Sequence, residues 1–141
     1  MKRYILIFVI IIAILGIICY NYAQKKITSN EIKLKNSEYI NLYNKEISET
    51  ELATLINKVY DQNEKNNVEK DDKGIFKDNL TNSINIEIKF KQREDIYSFE
   101  LIYQKDVTTF LRLYSKEYFK CTKMEYHEKT KLIKYLYFEQ V

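Results

Sequence analysis

The chain has no proline or tryptophan, and only two glycines, two cysteines and one histidine among its 141 residues. Without proline, no helix is forcibly broken from inside, so elements must end on caps and turns. Gly16 and Gly74 alone cannot form a glycine-rich phosphate cradle, which excludes the nucleotide-loop motifs. Cys19 lies in an apolar run and Cys121 in the polar part, so the polar part holds no internal disulfide. Cys121 reads as a small buried hydrophobe. His127 and one cysteine six positions away do not supply the three or four ligands of a zinc site. On one strand they would stand about 20 Å apart, too far for the imidazole to activate the thiol. Asp71-Asp72-Lys73-Gly74 reads as a turn and lacks the alternating oxygen ligands of a calcium loop. Asn79-Leu80-Thr81 has only the form of a glycosylation sequon. Carboxylates abound without a pair that spacing singles out. The expectation is therefore no catalytic site, no cofactor and no metal: not an enzyme.

A long apolar run is present. Residues 4–23, YILIFVIIIAILGIICYNYA, carry no charged side chain. Leu, Ile, Phe and Val at a helix centre each favour membrane insertion by roughly 0.3–0.6 kcal/mol, and the dozen or so here supply about 4–7 kcal/mol. About 20 residues at 1.5 Å rise cover a hydrocarbon core of about 30 Å. Tyr4 at one end and Tyr20 and Tyr22 at the other suit the headgroup layers. The run predicts a single-pass anchor in the bilayer. Cleavage as a signal peptide is the weaker alternative, because Asn21-Tyr22-Ala23 places Asn three before the cut. Lipidation at Cys19 is weaker still, because Ile18 stands where a small residue is needed.

Orientation is a contest between two flanks. Lys25, Lys26, Lys33 and Lys35 favour a cytoplasmic domain by charge alone, whereas the short basic flank Lys2-Arg3 behaves like that of a signal-anchor. The expectation is an extracytoplasmic C-terminal domain in the cell membrane. Setting aside Lys2 and Arg3 from the 23 basic side chains leaves 21 against 20 acidic. That balance excludes a nucleic-acid surface, which needs a basic excess on one face.

The expected organisation is an anchor over 1–23, a polar juxtamembrane linker or helix extension over 24–36, and a small domain over 37–141. Tyr39, Ile40, Tyr43 and Ile47 recur at helical spacing, although an extended segment is equally compatible. Ser48-Glu49-Thr50-Glu51 forms a capping box ahead of an apolar stripe at Leu52, Leu55, Ile56, Val59 and Tyr60. From Ser83 the period becomes two, with Ile84, Ile86, Ile88 and Phe90 on one face of a strand. Tyr97, Phe99, Leu101 and Tyr103 predict its antiparallel partner. Asp106 caps a short helix with Val107, Phe110, Leu111 and Tyr114 inward.

The C-terminal stretch predicts a hairpin centred on Lys129-Thr130. That register pairs Lys120 with Glu139 and Glu125 with Lys134, and sets Thr122, Met124 and Tyr126 opposite Tyr137, Tyr135 and Ile133 on one face. The fold class is α+β: apolar helix, amphipathic helix or helices, then an antiparallel sheet of about four strands with one short interrupting helix. Tyr126, Tyr135 and Tyr137 are the candidate interaction face, since Tyr joins apolar area to a hydroxyl. The competing reading makes these rings core.

Two segments, Ser48-Glu49-Thr50-Glu51-Leu52-Ala53-Thr54-Leu55-Ile56-Asn57-Lys58 and Phe119-Lys120-Cys121-Thr122-Lys123-Met124-Glu125-Tyr126-His127, carry a resemblance. They resemble a group of small single-pass membrane proteins of Gram-positive anaerobic bacteria, a group of uncharacterised function. The resemblance implies placement at the membrane and no catalytic residue. The layout is also similar to type IV pilins and pseudopilins in architecture alone, because the processing-site Gly and the Glu five residues into the apolar run are missing. The leading expectation is a non-enzymatic domain binding a cell-envelope or membrane-protein partner. A pilin-like assembly subunit and a small-ligand or enzymatic envelope domain are the alternatives.

Overall fold

In the computed structural model, residues 2–141 are described, without the side chains of residues 2–6, 8 and 9. The roles expected of Lys2, Arg3 and Tyr4 side chains lie outside the described residues. The chain divides into two units, Met1–Lys35 and Asn36–Val141.

Helix α1 runs over Lys2–Ile40. Its segment Ile10–Ile40 is long and apolar enough to cross a membrane, and none of its most apolar window is buried by protein. Ile10, Ile11, Ile12, Ile14, Leu15, Ile17 and Ile18 are all exposed, so apolar side chains surround the helix on every side. Only lipid or protein can shelter a helix of that kind. Of the two readings for residues 24–36, a helix extension is the one that forms.

In the second unit, α1 ends at Ile40, and the expected continuation through Tyr43 and Ile47 does not occur. Asn44 takes a left-handed conformation (φ 59°), and its amide donates to the Cys121 carbonyl at 2.9 Å. Asn tolerates that region better than other non-glycine residues, so the chain turns here without glycine. Ile47, fully buried, falls in the three-residue strand β1 (Glu46–Ser48).

Helix α2 (Glu49–Lys65) starts on the expected capping box. The Glu51 amide donates to Ser48 Oγ at 3.2 Å, and the Ser48 amide to Glu51 Oε2 at 2.9 Å. Leu52, Leu55, Ile56 and Val59 are buried as the stripe requires.

The remaining elements are β2 (Asn85–Lys89), β3 (Ile96–Ser98), α3 (Phe99–Gln104), α4 (Val107–Leu113), β4 (Tyr118–Tyr126) and β5 (Ile133–Gln140). They complete an α+β domain with a five-stranded sheet in the order β1-β4-β5-β2-β3. Neighbours are antiparallel except β2 and β5, which run parallel. One sheet face packs on α2, α3 and α4, with Ile86, Ile88, Phe119, Leu136 and Phe138 fully buried. Each such side chain contributes about 1.5–3 kcal/mol over its exposed state.

Besides the fifth strand and the parallel pair, which replace the expected antiparallel sheet of about four strands, two further details depart from the expected plan. The partner of β2 stops at Ser98, and Phe99, Ile102 and Tyr103 then follow helical spacing onto the core. That short apolar run satisfies both periods, and burial of Phe99 beneath α2 selects the helical one. Two short helices therefore interrupt the sheet in place of one. The second matches expectation: Asp106 accepts the Thr108 amide at 3.0 Å, and Phe110 is buried.

Candidate functional site

The hairpin ends pair as the charge pattern expects, with Lys120 opposite Glu139 and Tyr126 opposite Ile133. Between them the register is displaced by one. Lys123 lies opposite Tyr137, Met124 opposite Leu136 and Glu125 opposite Tyr135. The shifts fall at Thr122 on β4 and at Lys134 on β5, so one extra residue on each strand cancels the other. A one-residue offset moves side chains to the opposite face.

The expected six-residue face therefore does not form. Met124 packs against the core, and the Tyr126 hydroxyl reaches its sulfur at 3.6 Å. Tyr135 and Tyr137 occupy the other face, alternating along β5 with the fully buried Leu136 and Phe138. Of the three candidate tyrosines, the structure brings Tyr135 and Tyr137 together and separates Tyr126. Tyr97 and Tyr103 belong to the core side.

The outward face is held by polar contacts. The Tyr135 hydroxyl donates to Glu87 Oε2 at 2.7 Å, and burial and this bond push its pKa well above the ordinary tyrosine value. The Lys123 ammonium lies 5.4 Å from the Tyr135 ring centre and 2.7 Å from Glu125 Oε1. That ion pair lowers the Glu125 pKa and raises the Lys123 pKa. Lys134 stands between two carboxylates, 3.7 Å from Asp78 Oδ2 and 3.9 Å from Glu125 Oε2.

Asp78 opens a loop tied by its own side chains. Its Oδ1 accepts the Leu80 amide at 2.7 Å and the Ser83 hydroxyl at 3.2 Å. Asn79 Oδ1 accepts the amides of Thr81, Asn82 and Ser83. Burial opposes the ionised form of Asp78, but the Leu80 and Ser83 bonds, with His127 and Lys134 nearby, outweigh it and lower its pKa.

His127 is buried, and its Nε2 lies 2.8 Å from the Ser83 carbonyl. A carbonyl only accepts, so Nε2 carries the proton and the ring fastens this loop to the β4–β5 turn. Cys121 is fully buried, and burial pushes its thiol up to about 11. Its sulfur faces the Lys123 carbonyl at 3.6 Å, and no contact joins it to His127 among the described residues.

Between loop and strands lies a cavity of about 220 Å³, walled by Phe76, Ile84 and Tyr135 and rimmed by Asp78, Glu125 and Lys134. Asn85, at the start of β2, also lines it, and its Oδ1 is buried without a hydrogen-bond partner. Asp78, Asn85, Glu87 and Lys134 were invisible as a set in the sequence. Their meeting depends on the parallel β2–β5 pair, which joins segments fifty residues apart (Asn85 opposite Tyr135). Among the described residues, no three His, Cys, Asp or Glu side chains are grouped to hold a metal.

No protein-family model matches this chain, and no curated protein or solved structure is significantly similar to it.

Proposed function

We propose that the chain is a membrane-tethered, non-enzymatic domain, displayed outside the cytoplasm, that binds a cell-envelope or membrane-protein partner. The observation that carries this reading is the outward Tyr135–Tyr137 face beside a cavity, in a chain with a helix long and apolar enough to cross a membrane. Tyrosines on a rigid sheet lose little entropy on binding, and the mixed charges of Lys123, Glu125 and Glu87 supply a polar surround. The tether agrees with the resemblance to small single-pass membrane proteins. The flank Lys2-Arg3 supports the outward orientation.

Reporter fusions at both termini test the topology; an active cytoplasmic reporter at the C-terminus overturns the outward placement. A photo-crosslinking side chain at Tyr137 in the full membrane-bound chain tests the face. The expected result is one discrete protein or glycan adduct, absent when the same group replaces exposed Leu113. Equal labelling from both positions defeats the reading. The cavity also favours a second reading, a small-ligand site, because its polar groups converge on a bounded space.

A further inference from the structure

We infer that the cavity between the Phe76–Asn85 segment and β5 binds one neutral sugar ring, of the kind repeated in an envelope glycan. The inference rests on the envelope-binding reading and names the ligand class for it.

Size comes first. A space of about 220 Å³ falls below the roughly 300–1,000 Å³ of sites for drug-sized ligands, so it suits one ring. Tyr135 gives it an aromatic wall fixed by the bond to Glu87, and Phe76 also lines it, with its own ring packed on Tyr60 and Phe99. Such rings receive the C–H face of a sugar while hydroxyls at the edge find polar partners.

Charge then selects among ligands. Lys77, Lys123 and Lys134 oppose Asp78 and Glu125 around the cavity, an excess of one positive charge. An anion approaching Lys134 meets two carboxylates, each within 4 Å of the same ammonium. A cation meets three lysines. Neither is well matched.

Hydrogen bonding points the same way. Lys134 is partly exposed, and its ion-pair distances of 3.7 and 3.9 Å are longer than hydrogen bonds, so its ammonium can also donate to a ligand. Asn85 lines the same space with a carboxamide, a group that both donates and accepts. A donor at Lys134, acceptors at Asp78 and Glu125 and an amide at Asn85 together favour a group that both donates and accepts, and a hydroxyl does both.

The test uses the full chain in detergent micelles, with N-acetylglucosamine, glucose and inorganic phosphate as probes and saturation-transfer NMR as readout. A single ring in a shallow site should bind with a millimolar Kd, around −4 kcal/mol. Asn85→Leu and Lys134→Met should each weaken sugar binding at least tenfold, and Leu113→Ala should leave it unchanged. Lys134 is partly exposed, so its variant keeps the test open should Asn85→Leu fail to fold. Sedimentation with insoluble cell-wall glycan separates a polymer ligand from a free sugar, since only the polymer carries the protein down. No sugar signal, sugar binding that survives both variants, or tighter binding of phosphate overturns the inference. A Tyr137 crosslink to a protein that persists without sugar binding leaves the envelope reading standing and removes this one alone.

Discussion

Asn63 and Ile84 grip each other as two strand residues would: the Asn63 side-chain amide donates to the Ile84 carbonyl at 2.8 Å, and its oxygen accepts the Ile84 amide at 2.9 Å. Asn63 is fully buried in the last turns of α2, and Ile84 directly precedes β2. The helix thus satisfies both backbone groups where the sheet offers no neighbour. Asn36 does the same for β5, donating to the Lys131 carbonyl at 2.7 Å and accepting the Ile133 amide at 3.0 Å.

Asn63→Leu keeps the γ-branched shape and removes both bonds. Two buried backbone groups without partners cost about 1–3 kcal/mol each, a large share of a typical 5–15 kcal/mol stability. Chemical denaturation of the full chain in micelles should show a loss of about 2–6 kcal/mol. A loss under about 0.5 kcal/mol would mean that water replaces the side chain and that the clasp is incidental.

Glu100 supplies a pH-dependent prediction. It is fully buried in the first turn of α3; Oε1 accepts the Phe76 amide at 3.1 Å, and Oε2 has no partner among the described residues. Burial raises its pKa above the ordinary carboxyl value of 4.5, against the bonds that favour the anion. An acid with a raised folded pKa binds more protons folded than unfolded, so stability falls as pH rises from the unfolded value through the folded one. Glu100→Gln keeps an acceptor for Phe76 and removes the charge. It should be the more stable form at neutral pH, with the gap closing toward pH 4.5 in denaturation curves. A gap that widens on acidification would show that the carboxylate is the stabilising form.

Tyr135→Phe isolates the hydroxyl bonded to Glu87. Glu87 is only partly buried and water can replace its partner, so the expected loss is modest, about 0.5–1.5 kcal/mol. Burial and Glu87 together raise the tyrosine's pKa, so this contribution is intact below its ordinary value of 10.0 and declines as pH rises beyond it. Denaturation at neutral and at strongly alkaline pH should show the difference between the two proteins shrinking. A constant difference would place the effect in packing.

What the sequence made legible follows from how local each signal is. The capping box at Ser48, the stripe of α2 and the cap at Asp106 are set by neighbours within a few residues, and all three form. β1 has three residues, too few to show a period, yet it places Ile47 opposite Phe119. The candidate face was half legible. Tyr135 and Tyr137 stand two apart on a strand and must share a face. An unbroken ladder would group Tyr126 with them, and the extra residue at Lys134 separates it. Neither bulge has a glycine to mark it. The cavity lay beyond reach, because Asn85 meets Tyr135 only through a parallel pairing that no turn announces.

Leu80 tests how firmly the loop over the cavity is built. It sits at φ 62° and is 62% exposed, so it pays for a left-handed backbone without burying itself in return. Left-handed geometry costs an L-residue about 1–2 kcal/mol, and a β-branched side chain more. The loop tolerates this because Asp78 holds the Leu80 amide, Asn79 holds the next three, and the Thr130 hydroxyl donates to the Thr81 carbonyl at 2.6 Å. Leu80→Gly relieves the strain but frees the unfolded chain, a counter-effect of about 0.4–1 kcal/mol, so a net gain of up to about 1 kcal/mol is expected. Leu80→Ile should lose at least as much. The order Gly, Leu, Ile in unfolding free energy would show the turn imposed by its side-chain bonds; equal values for Leu and Ile would show a loop that relaxes out of it. Should Leu80→Gly also weaken the Tyr137 crosslink, the exposed leucine is part of the contact surface, and its strain is retained for binding.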